Sequence, residues 1–106
     1  GFGRSKFIHN SKNNKSSLYI IECWNNEEKF YKIGITNKTI EKRFKSNIQM
    51  PYNYKIIKII EDDSDFIWNL EKELFRKYKK FKYIPKLKFN GYSECFDKNL
   101  WKYINE

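Results

Sequence analysis

The stretch "LYIIECWNNEEKFYKIGIT", Leu18–Thr36, reads as a β-hairpin: one strand over Leu18–Trp24, a turn over Asn25–Glu28 and a second strand over Lys29–Thr36. Tyr31, Ile33 and Ile35 alternate along one face of the second strand, while Lys32 and Gly34 fall on the other. Glycine inside a strand weakens it unless a ligand or another backbone must come close. With an even-length turn centred between Asn26 and Glu27, Tyr19 lies opposite Gly34 and Ile21 opposite Lys32. Tyr19 and Lys32 then share a face as diagonal neighbours, and Gly34 removes the side chain that would cover the Tyr19 ring. The plainer alternative is an amphipathic core tyrosine beside a lysine that snorkels to water.

Outward from the hairpin, "TIEKRFKSN" (residues 39–47) predicts a short helix capped by Asn37 or Thr39, with Ile40 and Phe44 inward and Arg43 beside them. Pro51 breaks that pattern, and the β-branched run Tyr54–Ile60 predicts a third strand. "EDDSD" (residues 61–65) then opens a long helix, capped by Ser64 and reaching about Lys80. Ile67, Leu70, Leu74, Tyr78 and Phe81 form its apolar stripe, with Trp68 and Phe75 also read as core and Lys72, Arg76 and Lys80 facing away. Glu71 falls about 60° from the centre of the stripe at roughly 100° per residue, half-buried and aimed at the sheet. A carboxylate there needs a basic partner or a metal ion. Residues 83–96 read as irregular or as a short extended stretch, and Asp97 as the cap of a last helix. The order ββαβα plus a C-terminal helix predicts an α+β domain, a small three-stranded antiparallel sheet flanked by helices, over residues 18–106. Residues 1–17 read as a basic arm or linker, either solvated with one helical turn near Ser5–His9 or reaching DNA phosphates.

The chain has 106 residues, enough for one modest core. Its 22 Lys and Arg against 13 Asp and Glu give a formal charge of +9, and the pI is near 9.5. That balance points to an anionic partner, nucleic acid first, although the richness in Lys, Asn, Ile and Tyr also fits an A/T-biased genome. Cys23 and Cys95 form no CxxC pair and His9 is the sole histidine, so a structural zinc site lacks ligands and the cysteines read as reduced thiols of an intracellular protein. No apolar run approaches the roughly 18 residues of a membrane span. The start at Gly1 reads as a piece of a longer protein.

"LYII", then "KIG" inside "FYKIGIT", then Arg43 eleven residues after Lys32, then "NLEKELF" resemble the GIY-YIG nuclease superfamily. The likeness is to the branch, found in phage homing-type and some restriction endonucleases, whose second tyrosine is replaced by lysine, and it covers Leu18–Phe96. It implies that Tyr19 matches the first-motif tyrosine, Lys32 and Gly34 the second motif, Arg43 the catalytic arginine and Glu71 the metal-binding glutamate. Thr36 matches the hydroxyl residue following the glycine, and Asn90, more loosely, a late asparagine. Two departures stand out: the first motif reads "SLY" without its glycine, and the family histidine has no counterpart, His9 lying outside the matching region.

The activity so implied is metal-dependent hydrolysis of double-stranded DNA with one Mg²⁺ or Mn²⁺ ion. Free tyrosine, with a pKa near 10, is a weak base at neutral pH, and the Lys32 ammonium would favour the phenolate. Arg43 would hold the scissile phosphate as a planar fork and Glu71 would ligate the cation. Lys55, Lys72, Arg76, Lys86 and Lys88 would contact backbone phosphates without reading sequence. Target recognition is expected from a region outside this chain, and the setting from a bacterial or phage-infected cytoplasm. Rival readings are a non-catalytic nucleic-acid-binding module on the same fold and a basic interaction domain without nucleic acid.

Overall fold

The hairpin forms in the expected register. β1 (Lys15–Trp24) and β2 (Lys29–Thr36) pair antiparallel, with Tyr19 opposite Gly34 and Ile21 opposite Lys32. The structure is a computed structural model describing residues 3–46 and 49–104. Its further elements are α1 (Arg4–His9), α2 (Ile40–Arg43), β3 (Asn53–Asp63), α3 (Ser64–Lys77), a 3₁₀ turn over Lys79–Phe81, β4 (Cys95–Phe96) and α4 (Leu100–Ile104). The sheet is antiparallel in the order β3-β1-β2-β4, so the α+β class stands but the sheet has four strands, not three. The additional strand, β4, is two residues long, too short to leave an alternating pattern in the sequence.

The two sheet faces carry different cores. Tyr19, Ile21, Cys23 and Phe30 pack with Ile40, Phe44, Met50, Tyr52, Phe89 and Cys95. Leu18, Ile20 and Ile33 face the other way, against Phe7, Ile67, Leu74, Tyr78, Phe96 and Leu100, so α1, α3 and α4 cover that face. β3 meets both demands through a bulge. Its register against β1 shifts between Ile20 and Ile21, which face Lys58 and Ile56, leaving Ile57 as the extra residue. The shift lets Ile57 and Ile60, three apart, both pack toward α3, whereas strict alternation would send them to opposite faces.

The folded unit begins before Leu18. Lys15–Ser17 belong to β1, and Phe7 of α1 is 6% exposed with its ring 5.7 Å from that of Trp68. The expected arm is thus folded against α3 over its described part. Asn13 and Asn14 both adopt positive φ in the tight turn where Lys12 bridges to Lys15, a conformation asparagine tolerates better than most residues. Ser16 Oγ donates to Asn37 Oδ1 at 2.5 Å and lies 2.7 Å from Ser64 Oγ, while Asn37 Nδ2 donates to the Phe7 carbonyl at 3.0 Å. These bonds tie α1, β1, the end of β2 and the start of α3 together.

Helix limits differ from the expected ones for local reasons. Thr39 caps α2 by accepting from Lys42 N, but the helix stops at Arg43 because Phe44 leaves helical geometry. The Phe44 ring is buried edge-on to Tyr19 instead; Asn47, where that helix was expected to end, lies outside the described residues. Ser64 is the first residue of α3 rather than its cap, its hydroxyl held by Ser16. α3 ends at Lys77, short of Lys80. Asn99 rather than Asp97 holds the first turn of α4, its Oδ1 accepting from Trp101 N at 3.1 Å. No described helix is long and apolar enough to cross a membrane.

Candidate active site

Lys32 is the anomaly from which the site is built. Strand alternation turns it toward the Tyr19 side of the sheet, where it is 0% exposed. It does not snorkel: Nζ donates to Tyr19 Oη at 3.0 Å and to Glu94 Oε1 at 3.0 Å. Burial pushes the Lys32 pKa down, but the Tyr19 oxygen and the Glu94 carboxylate push harder the other way, leaving it raised. The ammonium therefore stays charged in the core.

Gly34 makes this possible. A Cβ there would sit 2.5 Å from Tyr19 Cζ and 2.9 Å from Lys32 Nζ, so no side chain fits. Gly91 confines the lysine from the C-terminal segment: its φ is +95°, and a Cβ there would meet Lys32 Cε at 2.8 Å. Lys32 thus lies in a slot bounded by two glycines, with Tyr19 and Glu94 taking its hydrogen bonds.

Arg43 reaches this cluster through an aromatic ring. Its guanidinium carbon is 5.2 Å from the Phe44 ring centroid; that ring is 5.5 Å from the Tyr19 ring and 6.0 Å from Lys32 Nζ. Among the described residues its guanidinium lies against the Phe44 ring with no ion-pair partner.

Glu71 is placed differently from expectation. It is 2% exposed rather than half-buried, because α3 turns Ile67, Glu71, Leu74 and Tyr78 inward together while Leu70 and Phe81 are only partly buried. Oε1 accepts from Lys72 Nζ at 2.8 Å, and Oε2 is buried with no hydrogen-bond partner. Burial raises the Glu71 pKa and outweighs the hydrogen bond from Lys72 that lowers it; the charge of Glu94 adds to the rise, and the charges of Lys72 and Lys32 oppose it. Ile67 and Leu74 pack on the face opposite Tyr19, so Glu71 joins the Tyr19–Lys32–Glu94 group through its field rather than by a hydrogen bond. The orphaned oxygen suits a single hard cation such as Mg²⁺ or Mn²⁺, and no group of three or more His, Cys, Asp or Glu suited to a metal occurs among the described residues.

Among the described residues, the other predicted ones make no hydrogen bond to Tyr19, Lys32 or Glu94. Thr36 is buried at the end of β2, its Oγ1 accepting from Lys38 N at 3.0 Å. Asn90 is exposed on the turn before Gly91. Lys55, Lys72, Arg76, Lys86 and Lys88 are exposed but distributed over β3, α3 and the segment after α3. Two of them are already engaged: Lys72 lies over Trp68 as well as on Glu71, and Lys86 pairs with Glu27 at 3.3 Å.

Sequence reasoning missed Glu94 and Gly91. The available signal was Lys32 itself, since a lysine on a core-facing strand position requires a counter-ion. It also missed the clamp at Glu28, which accepts from Tyr52 Oη at 2.6 Å, Tyr83 Oη at 2.5 Å and Lys86 N, fastening the hairpin turn to the segment beyond α3. Cys23 and Cys95 are buried and unpaired; burial pushes both thiols up to about 12, so neither is a nucleophile. Compared with models of known protein families, with curated proteins and with solved structures, the chain matches none.

Proposed function

We propose that the chain is the catalytic domain of a metal-dependent endonuclease acting on double-stranded DNA, part of a longer phage or bacterial protein of the homing or restriction type. One observation carries the reading: a fully buried, charged lysine held 3.0 Å from a tyrosine oxygen under a glycine with no room for a Cβ. A sheet built for stability alone gains nothing from an ammonium at that position, whereas hydrolysis of a phosphodiester needs positive charge beside a base. The net charge of +9 supports the polyanionic substrate.

In this reading Tyr19 acts as the phenolate, its charge offset by the adjacent Lys32 ammonium, and takes the proton of the attacking water to become the neutral phenol. Arg43 holds the scissile phosphate with two of its donors. Glu71, whose Oε2 has no hydrogen-bond partner, would hold one Mg²⁺ or Mn²⁺, which when bound would supply positive charge near the phosphate and the leaving oxygen.

The test is relaxation of supercoiled plasmid with Mg²⁺ or Mn²⁺, against an EDTA control. Nicking is expected from the wild type and lost by about 10²-fold or more in Tyr19→Phe, the usual range for a general base. Glu71→Ala should be inactive, and both variants should keep salt-sensitive DNA binding. Equal cleavage by wild type and Tyr19→Phe would refute the assignment. DNA binding without cleavage under either metal would leave the binding-module reading in its place.

A further inference from the structure

Glu94 is not in the chain's motif pattern, yet the fold goes to some length to deliver it. A buried ammonium needs acceptors for its donors and a counter-charge for itself. Tyr19 Oη supplies the first and Glu94 Oε1 both, each 3.0 Å from Lys32 Nζ. Glu94 arrives on a tight turn in which Tyr92 N donates to the Phe89 carbonyl and Glu94 N to the Gly91 carbonyl. The turn comes so close that a Cβ on Gly91 would lie 2.9 Å from both Lys32 Nζ and Glu94 Oε1. Ile33 N donates to the Glu94 carbonyl at 3.1 Å, so one residue holds Lys32 by its side chain and the next residue by its backbone.

The ionisable groups around Lys32 are Tyr19 and Cys23 from β1, Glu94 and Cys95 at β4, Glu71 from α3 and Arg43 across the Phe44 ring from α2. Among them Glu94 combines opposite charge with hydrogen-bonding distance. Its side chain is 31% exposed while that of Lys32 is fully buried, so the pair also connects the interior of the site to solvent.

We infer that Glu94 is the positioning residue of the site, holding the Lys32 ammonium in place and aimed at Tyr19 Oη. Glu94 touches neither the phosphate nor the attacking water; it acts through Lys32. The kinetic consequence rests on the nuclease reading, whereas the structural one does not.

The experiment uses the full chain with Glu94→Gln and Glu94→Asp. One readout is the titration of the Lys32 side chain by heteronuclear NMR, its signal assigned by its absence from Lys32→Met. The other is the pH dependence of plasmid nicking. In the wild type Lys32 keeps its proton to the alkaline end of the titration. In Glu94→Gln its acid dissociation constant is expected to rise about tenfold or more, one pKa unit of lost counter-charge. Nicking should then fall in kcat with KM for DNA little changed, the loss steepening only toward the alkaline end where Lys32 titrates, and Glu94→Asp should recover part of the loss. An unshifted Lys32 in Glu94→Gln overturns the proposal whether or not the protein cuts DNA. A shifted Lys32 in a chain whose wild type never nicks would uphold the role of Glu94 and retire the nuclease reading. Should Glu94→Gln fail to fold, Glu94→Asp carries the test, a shift in the same direction supporting the role and an unshifted Lys32 overturning it.

Discussion

Gly34→Ala is the smallest change that tests the site as a packing arrangement. The added Cβ would lie 2.5 Å from Tyr19 Cζ and 2.9 Å from Lys32 Nζ, well inside contact distance. Neither neighbour can retreat: the Tyr19 ring is 1% exposed and boxed by the Phe44 ring edge, and Lys32 is fully buried between Tyr19 and Glu94. Overpacking of this kind costs about 1–3 kcal/mol. Replacing glycine stiffens the unfolded chain and returns about 0.4–1 kcal/mol. The net loss of about 1–2 kcal/mol should lower the melting temperature by roughly 5–15 °C, taking about 4–8 °C per kcal/mol for a domain of this size. The assay is thermal and urea unfolding of Gly34→Ala, alone and combined with Tyr19→Leu, which removes Cζ and the hydroxyl. In the Tyr19→Leu background the penalty should nearly vanish, a coupling of about 1 kcal/mol or more. The reasoning fails if Gly34→Ala melts at or above the wild type, or if its penalty is the same in both backgrounds.

Three further outcomes follow from particular side chains. Glu71→Leu should raise stability at pH 7 by about 1–3 kcal/mol, the usual penalty of a buried polar group without a partner, while abolishing metal-dependent cleavage. Because the folded-state pKa of Glu71 is raised, the part of that gain that comes from burying its charge should shrink as pH falls and be gone below the unfolded carboxyl value of about 4.3; a lower melting point at pH 7 would contradict it. Phe7→Ala should cost about 3 kcal/mol, as for a buried phenylalanine elsewhere, and an unchanged urea midpoint would show that α1 adds nothing to the core. Cys23 and Cys95, with thiols raised to about 12, should resist a disulfide reagent at pH 8 in the native protein and react at once in denaturant, which a simple absorbance assay reads.

The register of the hairpin was legible because it follows from the turn: once an even-length turn is centred between Asn26 and Glu27, Tyr19 must lie opposite Gly34, whatever the rest of the fold does. The α+β class was legible for a similar reason, since two strands, a third β-branched run and a long amphipathic helix leave few arrangements. Glu71 was misplaced by angle because Leu70 and Phe81 were given the same weight as Ile67 and Tyr78. The helix instead sets Ile67, Glu71, Leu74 and Tyr78 inward and accepts a carboxylate near the centre of the stripe. Phe7 was hidden by its surroundings, a buried ring in a segment otherwise polar and basic. Glu94 was hidden by distance, since it meets Lys32 across 62 positions of chain and no periodicity links such a pair. Its partner requirement is written in the chemistry of lysine, not in any pattern.

The turn that carries Gly91 and Glu94 also sets a timetable. During synthesis the hairpin emerges early and can pair locally, within microseconds of its residues becoming free. At that stage Lys32 has no counter-ion and lies open to water. Burial of its charge must await β3 and α3, and is completed when residues 89–96 return to the β2 edge, a closure whose entropy falls late in the folding sequence. The nascent chain therefore carries every residue from Tyr19 to Glu71 before it carries an assembled site. If the chain cuts DNA, as proposed above, it would in this way stay inert until residues 89–96 had emerged and docked on β2.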